Sequence, residues 1–146
     1  MKIEVTETPD PVVLAVVGDS LAAFNVQDVG PAERRALAVL VRDDKSRLAA
    51  GISGYTAWGW LYVLYVQWLW VDESLRGQNM AARMLQAAED EATARGCHGA
   101  YIDTFNPTAL KVYQRQGYQP FGTLPDFPKG RTRTFLAKSL RVGEEG

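Results

Sequence analysis

The chain has 146 residues, 47% hydrophobic and 23% charged, a size that supports one compact core and falls short of two full domains. Sixteen Lys and Arg against seventeen Asp and Glu give a formal charge of −1, which leaves no broad cationic surface to follow nucleic-acid phosphates. The single cysteine, Cys97, excludes an internal disulfide framework, and with His98 alone beside it it falls short of the ligands a zinc site needs, so no metal is expected.

Ile3 and Val5 alternate with polar residues and predict a first strand, ended by Pro9 and Pro11. The start carries no apolar segment of signal-peptide length. The longest apolar run, 61–71, is interrupted by Gln67 and is too short to span a bilayer. Neither export nor membrane insertion is expected, and the cysteine usage agrees with a cytoplasmic protein.

Residues 12–24 read as a helix. Residues 34–42 form a strand with Leu37, Val39 and Val41 on one face, and the polar turn Asp43-Asp44-Lys45-Ser46 leads into another strand beginning near Leu48. Gly51, Gly54 and Gly59 loosen that strand and the turn after it. The run 61–71 is too apolar for a strand with one wet face, which predicts a central strand covered on both sides. Beyond it the period changes: Met80, Met84, Leu85, Ala88 and Ala92 keep helical spacing, Glu89, Asp90, Glu91 and Arg95 fall mostly on the other side, and Gly96 suits the closing residue. A helix over 79–95 follows. Residues 100–105 then read as a strand and Asn106-Pro107 as a helix cap, with Leu110 and Tyr113 on the inner face before Gly117. Residues 118–121 and 131–138 predict a final strand pair joined by the loop 122–130, and 142–146 a disordered tail. The whole, residues 1–141, reads as a single domain of α/β or α+β class, with a mixed, mostly antiparallel central sheet and helices on both faces.

The turn 72–78 joins the apolar strand to the long helix, whose first amides have no intrahelical acceptor. Those donors, the partial positive charge of the helix start, Gly77 and Arg76 suit a pyrophosphate. Neither G-x-x-x-x-G-K-[ST] nor G-x-G-x-x-G occurs anywhere, which argues against ATP, GTP or NAD.

The segment Val71-Asp72-Glu73-Ser74-Leu75-Arg76-Gly77-Gln78-Asn79-Met80-Ala81 resembles the [RQ]-x-x-G-x-[GA] junction of the GNAT superfamily of acyl-CoA N-acyltransferases, with Asn79 where the family usually has glycine. A second motif follows in the correct order. Asn106-Pro107-Thr108-Ala109-Leu110-Lys111-Val112-Tyr113-Gln114-Arg115-Gln116-Gly117-Tyr118 resembles the family's N-x-x-A-x-x-x-Y-x-x-x-G-[FY] helix, and the resemblance covers roughly residues 35–140.

The resemblance implies the GNAT fold and an enzyme that transfers acetyl from acetyl-CoA to an amine by direct attack, without an acyl-enzyme. It implies that Leu69, Trp70 and Val71 present backbone groups to the pantetheine arm. Arg76, Gly77, Gln78, Asn79, Met80, Ala81 and Ala82 would hold the pyrophosphate, and Asn106 would touch the cofactor from the other side. Tyr113 would protonate or hydrogen-bond the CoA sulfur, with a core tyrosine as the plainer alternative. Asp103 is the corresponding base, or else an edge carboxylate or cap, with water able to replace it.

Cys97 with His98 as a covalent pair is set aside, because neighbours on a strand point to opposite faces. Trp58, Trp60, Trp68 and Trp70 suit a core or subunit interface better than a cage for a cation, with Trp68 and Trp70 the pair closest to acceptor contact. The loop 124–130 lies where GNAT proteins often shape the acceptor pocket. A small-molecule amine is preferred over a peptide amine because no charged docking tract is visible, and a homodimer is a fair expectation of the class. The competing reading is a non-catalytic acyl-CoA-binding module with the same fold.

Overall fold

Asp10 and Pro11 start the first helix. The Asp10 carboxylate accepts from the Val12 amide at 2.9 Å and Pro11 takes the first helical position, where its missing N–H costs nothing. This helix, α1 (Pro11–Val29), runs past the predicted end at 24 and closes at Gly30 with φ of 89°. No strand forms at Ile3 and Val5; two alternating residues without a ladder partner do not hold an extended conformation by themselves. Val12, Val17, Leu21, Val26 and Val29 fall at successive angles right round α1. Its mean hydropathy of 1.4 over a membrane-spanning length makes it, rather than 61–71, the segment whose length and composition meet a bilayer span; a core helix meets the same test. The structure, a computed structural model, describes residues 1–68 and 79–140, and the chain forms two compact units, Met1–Glu33 and Arg34–Gly146.

The second unit is built on a six-stranded sheet. Its elements are β1 (Arg35–Arg42), β2 (Leu48–Ala57), β3 (Trp60–Trp68), α2 (Met80–Ala94), β4 (Gly99–Thr104), α3 (Pro107–Arg115), β5 (Gln119–Pro125) and β6 (Thr132–Ser139). The strand order is β1-β2-β3-β4-β6-β5. Only β3 and β4 pair in parallel, as the α2 crossover between them requires, and the other pairings are antiparallel. The mixed, mostly antiparallel sheet is therefore as predicted. β5 extends to Pro125, so the final connection is the shorter segment 126–131. The expected tail at 142–146 lies outside the described residues.

The core fills between the sheet and the two C-terminal helices. Leu37, Ile52, Leu61, Val63, Ala100, Ile102 and Leu136 meet Met84, Leu85, Ala88 and Ala92 of α2, as the helical spacing predicts. Two expectations fail. β3 is central, but Leu64 and Tyr65 are exposed, so its second half is not covered on both sides. Glu89, assigned to the wet side of α2, is 3% exposed. Its Oε1 accepts from Lys138 Nζ at 2.6 Å and its Oε2 from the Tyr118 hydroxyl at 3.0 Å, and a paired, hydrogen-bonded carboxylate is the form in which burial of the charge is tolerable.

Candidate active site

The site grows out of a defect in β3. The β2–β3 register shifts between Ser53 and Gly54, which pair with Tyr65 and Val63, so Leu64 is the extra residue of a bulge. A Cβ on Gly54 would collide with the Tyr62 carbonyl, so only glycine permits this close approach. Bulges bend and twist the strand that carries them. At the same level the parallel ladder with β4 ends at the pair Val63 and Ile102, although β3 continues to Trp68 and β4 to Thr104. Past this point the facing edges of β3 and β4 are not paired to each other. Leu69, Trp70 and Val71 lie outside the described residues, as do Arg76, Gly77 and Gln78.

The helix start that follows is described from Asn79 onward. Asn79 has φ of 55° and ψ of 37°, the left-handed conformation, so the residue standing at the family's glycine position adopts glycine's backbone. Its side chain makes no capping hydrogen bond, contrary to the capping role that asparagine suggests. The first intrahelical bond runs from the Arg83 amide to the Asn79 carbonyl at 3.0 Å, which leaves the amides of Met80, Ala81 and Ala82 without helical acceptors. A left-handed residue followed by helix makes successive amides converge, and anions bind such a concavity. The Met80 side chain points into the core, so that residue has only its backbone to offer.

Asn106 caps α3 as predicted: its Oδ1 accepts from the Thr108 and Ala109 amides at 2.9 and 3.1 Å. That oxygen is thus committed to the helix. Tyr113, on the inner face of α3, is 6% exposed. Burial, and then the Asp103 carboxylate, push its phenol up to about 12. Its ring meets that of Tyr118 edge-on at 6.5 Å, and its hydroxyl has no hydrogen-bond partner among the described residues.

Asp103 is half-buried on β4 and is not a free carboxylate. Oδ2 accepts from the Tyr62 hydroxyl at 2.9 Å and Oδ1 from Arg133 Nη1 at 2.8 Å. The Tyr62 ring stacks on Tyr101 at 4.5 Å, and burial together with the Asp103 bond raises its phenol to about 12. Tyr62 and Arg133 were missed in the sequence. The signal for Tyr62 was the parallel register that sets it beside Tyr101, one face with Asp103.

The remaining candidates separate. Cys97 is buried, which pushes its thiol up, whereas His98 packs edge-on against Trp60 at 5.3 Å, so they form no nucleophile–base pair. Trp60 also meets Tyr101 at 6.1 Å and Trp58 is half exposed. The side chain of Trp68, and Trp70 altogether, lie outside the described residues.

The second unit thus holds a helix start whose Met80, Ala81 and Ala82 amides have no helical acceptor, a parallel strand pair that parts after Val63 and Ile102 and a buried tyrosine on α3. Residues 15–118 match the model of the Acetyltransferase (GNAT) family. The chain is 40% identical over 138 residues to the acetyltransferase Atu2258 of Agrobacterium fabrum, covering 94% of this chain and 98% of that one. It is 37% identical over 98 residues to the blasticidin-S acetyltransferase of Streptomyces morookaense, covering 66% and 70%. The crystal structure of a protein assigned as an acetyltransferase from Agrobacterium tumefaciens superposes with a TM-score of 0.82 at 40% identity, over 95% of this chain and 99% of that one. The chain belongs to the GNAT family and is an acetyltransferase.

Proposed function

We propose that the protein transfers acetyl from acetyl-CoA to a primary amine of a small molecule, by direct attack of the amine on the thioester. The observation that carries this reading is Tyr113, a buried phenol with its hydroxyl unclaimed among the described residues, on a helix whose start is fixed by Asn106. The amine nitrogen forms a bond to the thioester carbon, the resulting oxyanion collapses, and the carbon–sulfur bond breaks with its electron pair on sulfur. Tyr113 donates a hydrogen bond to that sulfur. A phenol near 12 does not surrender its proton downhill to a thiol of ordinary pKa about 8.5, so the proton that ends on CoA comes from the attacking amine, by way of Asp103 or water.

The acyl-enzyme route has no support, since Cys97 lacks a base. A small-molecule acceptor is favoured by the near-neutral surface charge and by a relative named for acetylating blasticidin S. CoA release measured with acetyl-CoA and a panel of amines tests the reading. Turnover on at least one amine is expected, and Tyr113→Phe is expected to lower kcat by about 10²–10³-fold, the usual span for loss of one hydrogen-bond donor to developing charge. Binding of acetyl-CoA without turnover on any amine would instead describe a non-catalytic acyl-CoA-binding module.

A further inference from the structure

Arg133 stands beside the proposed chemistry without a part in it. Its Nη1 is spent on Asp103 at 2.8 Å, and its guanidinium lies 4.1 Å from the Phe127 ring centroid and 5.1 Å from that of Phe105. Its Nε is buried and has no hydrogen-bond partner among the described residues. Buried donors are almost always satisfied in native proteins, and an orphan calls for a partner.

The geometry of the guanidinium limits what that partner is. The group is a planar fork with five N–H donors and cannot deprotonate. Phe127 and Phe105 stand against the guanidinium and Asp103 takes one nitrogen, so the edge formed by Nε and Nη2 is what remains. Two parallel N–H donors along one edge match the two oxygens of a carboxylate. Phe127 sits on the segment 126–131 between β5 and β6 and is 49% exposed, so the ring against the guanidinium belongs to the surface of the site.

We propose that Arg133 selects the acceptor by binding a carboxylate on it through the Nε–Nη2 edge, while the adjoining Asp103 faces the acceptor's ammonium group. The substrate class is then an amine that carries a carboxylate, such as an amino acid or a small molecule with an amino-acid end. One cation and one anion locked together by a single bond present complementary charges to the two ends of such a zwitterion, and neither end is left facing a like charge. Asp103 also lies close enough to Tyr113 for its charge to be felt there, which keeps the ammonium end within electrostatic reach of Tyr113. This inference rests on the acetyltransferase reading above.

The test uses matched amines that differ in one group: phenylalanine, phenylalaninamide and phenethylamine, with 4-aminobutyrate against butylamine. CoA release is followed with the full chain. At least one carboxylate-bearing amine is expected to exceed its uncharged partners tenfold or more in kcat/KM. In Arg133→Met that ratio falls to near one; in Arg133→Lys, which keeps the charge without the fork, it falls to an intermediate value. Ratios near one in the wild type, or ratios that Arg133→Met leaves intact, overturn the proposal. Thermal stabilisation of the CoA-saturated protein by the same amines gives a second readout that needs no turnover. If no amine is acetylated the transferase reading fails, yet carboxylate-selective stabilisation that disappears in Arg133→Met still supports the Arg133 site. No such selectivity for any matched set refutes it.

Discussion

Replacing Lys138 by methionine tests the buried polar core that joins α2 to the last strand. Glu89 is 3% exposed and the Lys138 side chain 21% exposed, with 2.6 Å between Oε1 and Nζ. Removing one member of a buried pair costs about 3–5 kcal/mol, because the survivor keeps its desolvation without its partner. Lys138 is partly solvated, which screens the pair and moves Lys138→Met to about 3 kcal/mol, the low end of that range. Glu89→Gln is milder. Its amide oxygen still accepts from Tyr118, and Lys138 keeps the Gln116 carbonyl at 2.7 Å, so a loss of about 1–2 kcal/mol is expected. In the double variant no buried charge remains, and the destabilisation should fall short of the sum of the singles by about 1–2 kcal/mol. Urea unfolding followed by the fluorescence of the four tryptophans gives all four corners of the cycle. Additivity within about 0.5 kcal/mol, or a Lys138→Met cost below about 1 kcal/mol, would refute the argument that this pair is energetically coupled.

Tyr113 supplies a pH prediction. Its folded pKa of about 12 lies above the ordinary tyrosine value of about 10, so the folded state holds the proton longer than the unfolded chain. The stability this gives is complete below pH about 10 and is lost as pH rises toward about 12, because the unfolded state ionises first; urea midpoints measured across pH 8–12 check the sign. The same protonation leaves kcat without an alkaline limb from Tyr113 up to pH about 10. Asn79→Gly removes a side chain from a left-handed residue with φ of 55° and should raise stability by about 0.5–1 kcal/mol, visible in a thermal melt. Gly99→Ala would bring a Cβ to 2.6 Å from the Trp60 ring, and the overpacking should cost about 1–3 kcal/mol in urea unfolding.

Where the sequence repeats a period, the fold could be read from it. The spacing of Met80, Met84, Leu85, Ala88 and Ala92 located α2 and its buried face, and the Asn106-Pro107 pair located the start of α3. Both signals are local, because one helix turn and one cap are decided by residues a few positions apart. Glu89 was misread for the opposite reason. A carboxylate on a helix is placed in water unless a cation and a hydroxyl are known to meet it, and Lys138 and Tyr118 come from 49 and 29 positions further along the chain. The alternation at Ile3 and Val5 failed in the same way, since a strand depends on a partner that its own residues do not specify.

The candidate site divides along the same line. The positions of Tyr113 and Asn106 on α3 were legible because their motif fits within one short helix, whereas the bulge in β3 was not, because Gly54 was read only as loosening its strand and the extra residue Leu64 shows only in the pairing. Asp103 was legible as a carboxylate on the strand after α2 but not as a paired one. Whether it is a base with open lone pairs or one half of a zwitterion receptor depends on Arg133 and Tyr62, which reach it only through the β4–β6 pairing and the β3–β4 register. Each oxygen of Asp103 already accepts one bond, so Asp103 is better placed to hold an ammonium than to strip it, and the proton the amine must lose before it attacks leaves through water. With Arg133 and Asp103 as the proposed acceptor site, acceptor choice would be a property of the sheet's register, which brings in residues that in the sequence stand 30 and 41 positions away from Asp103.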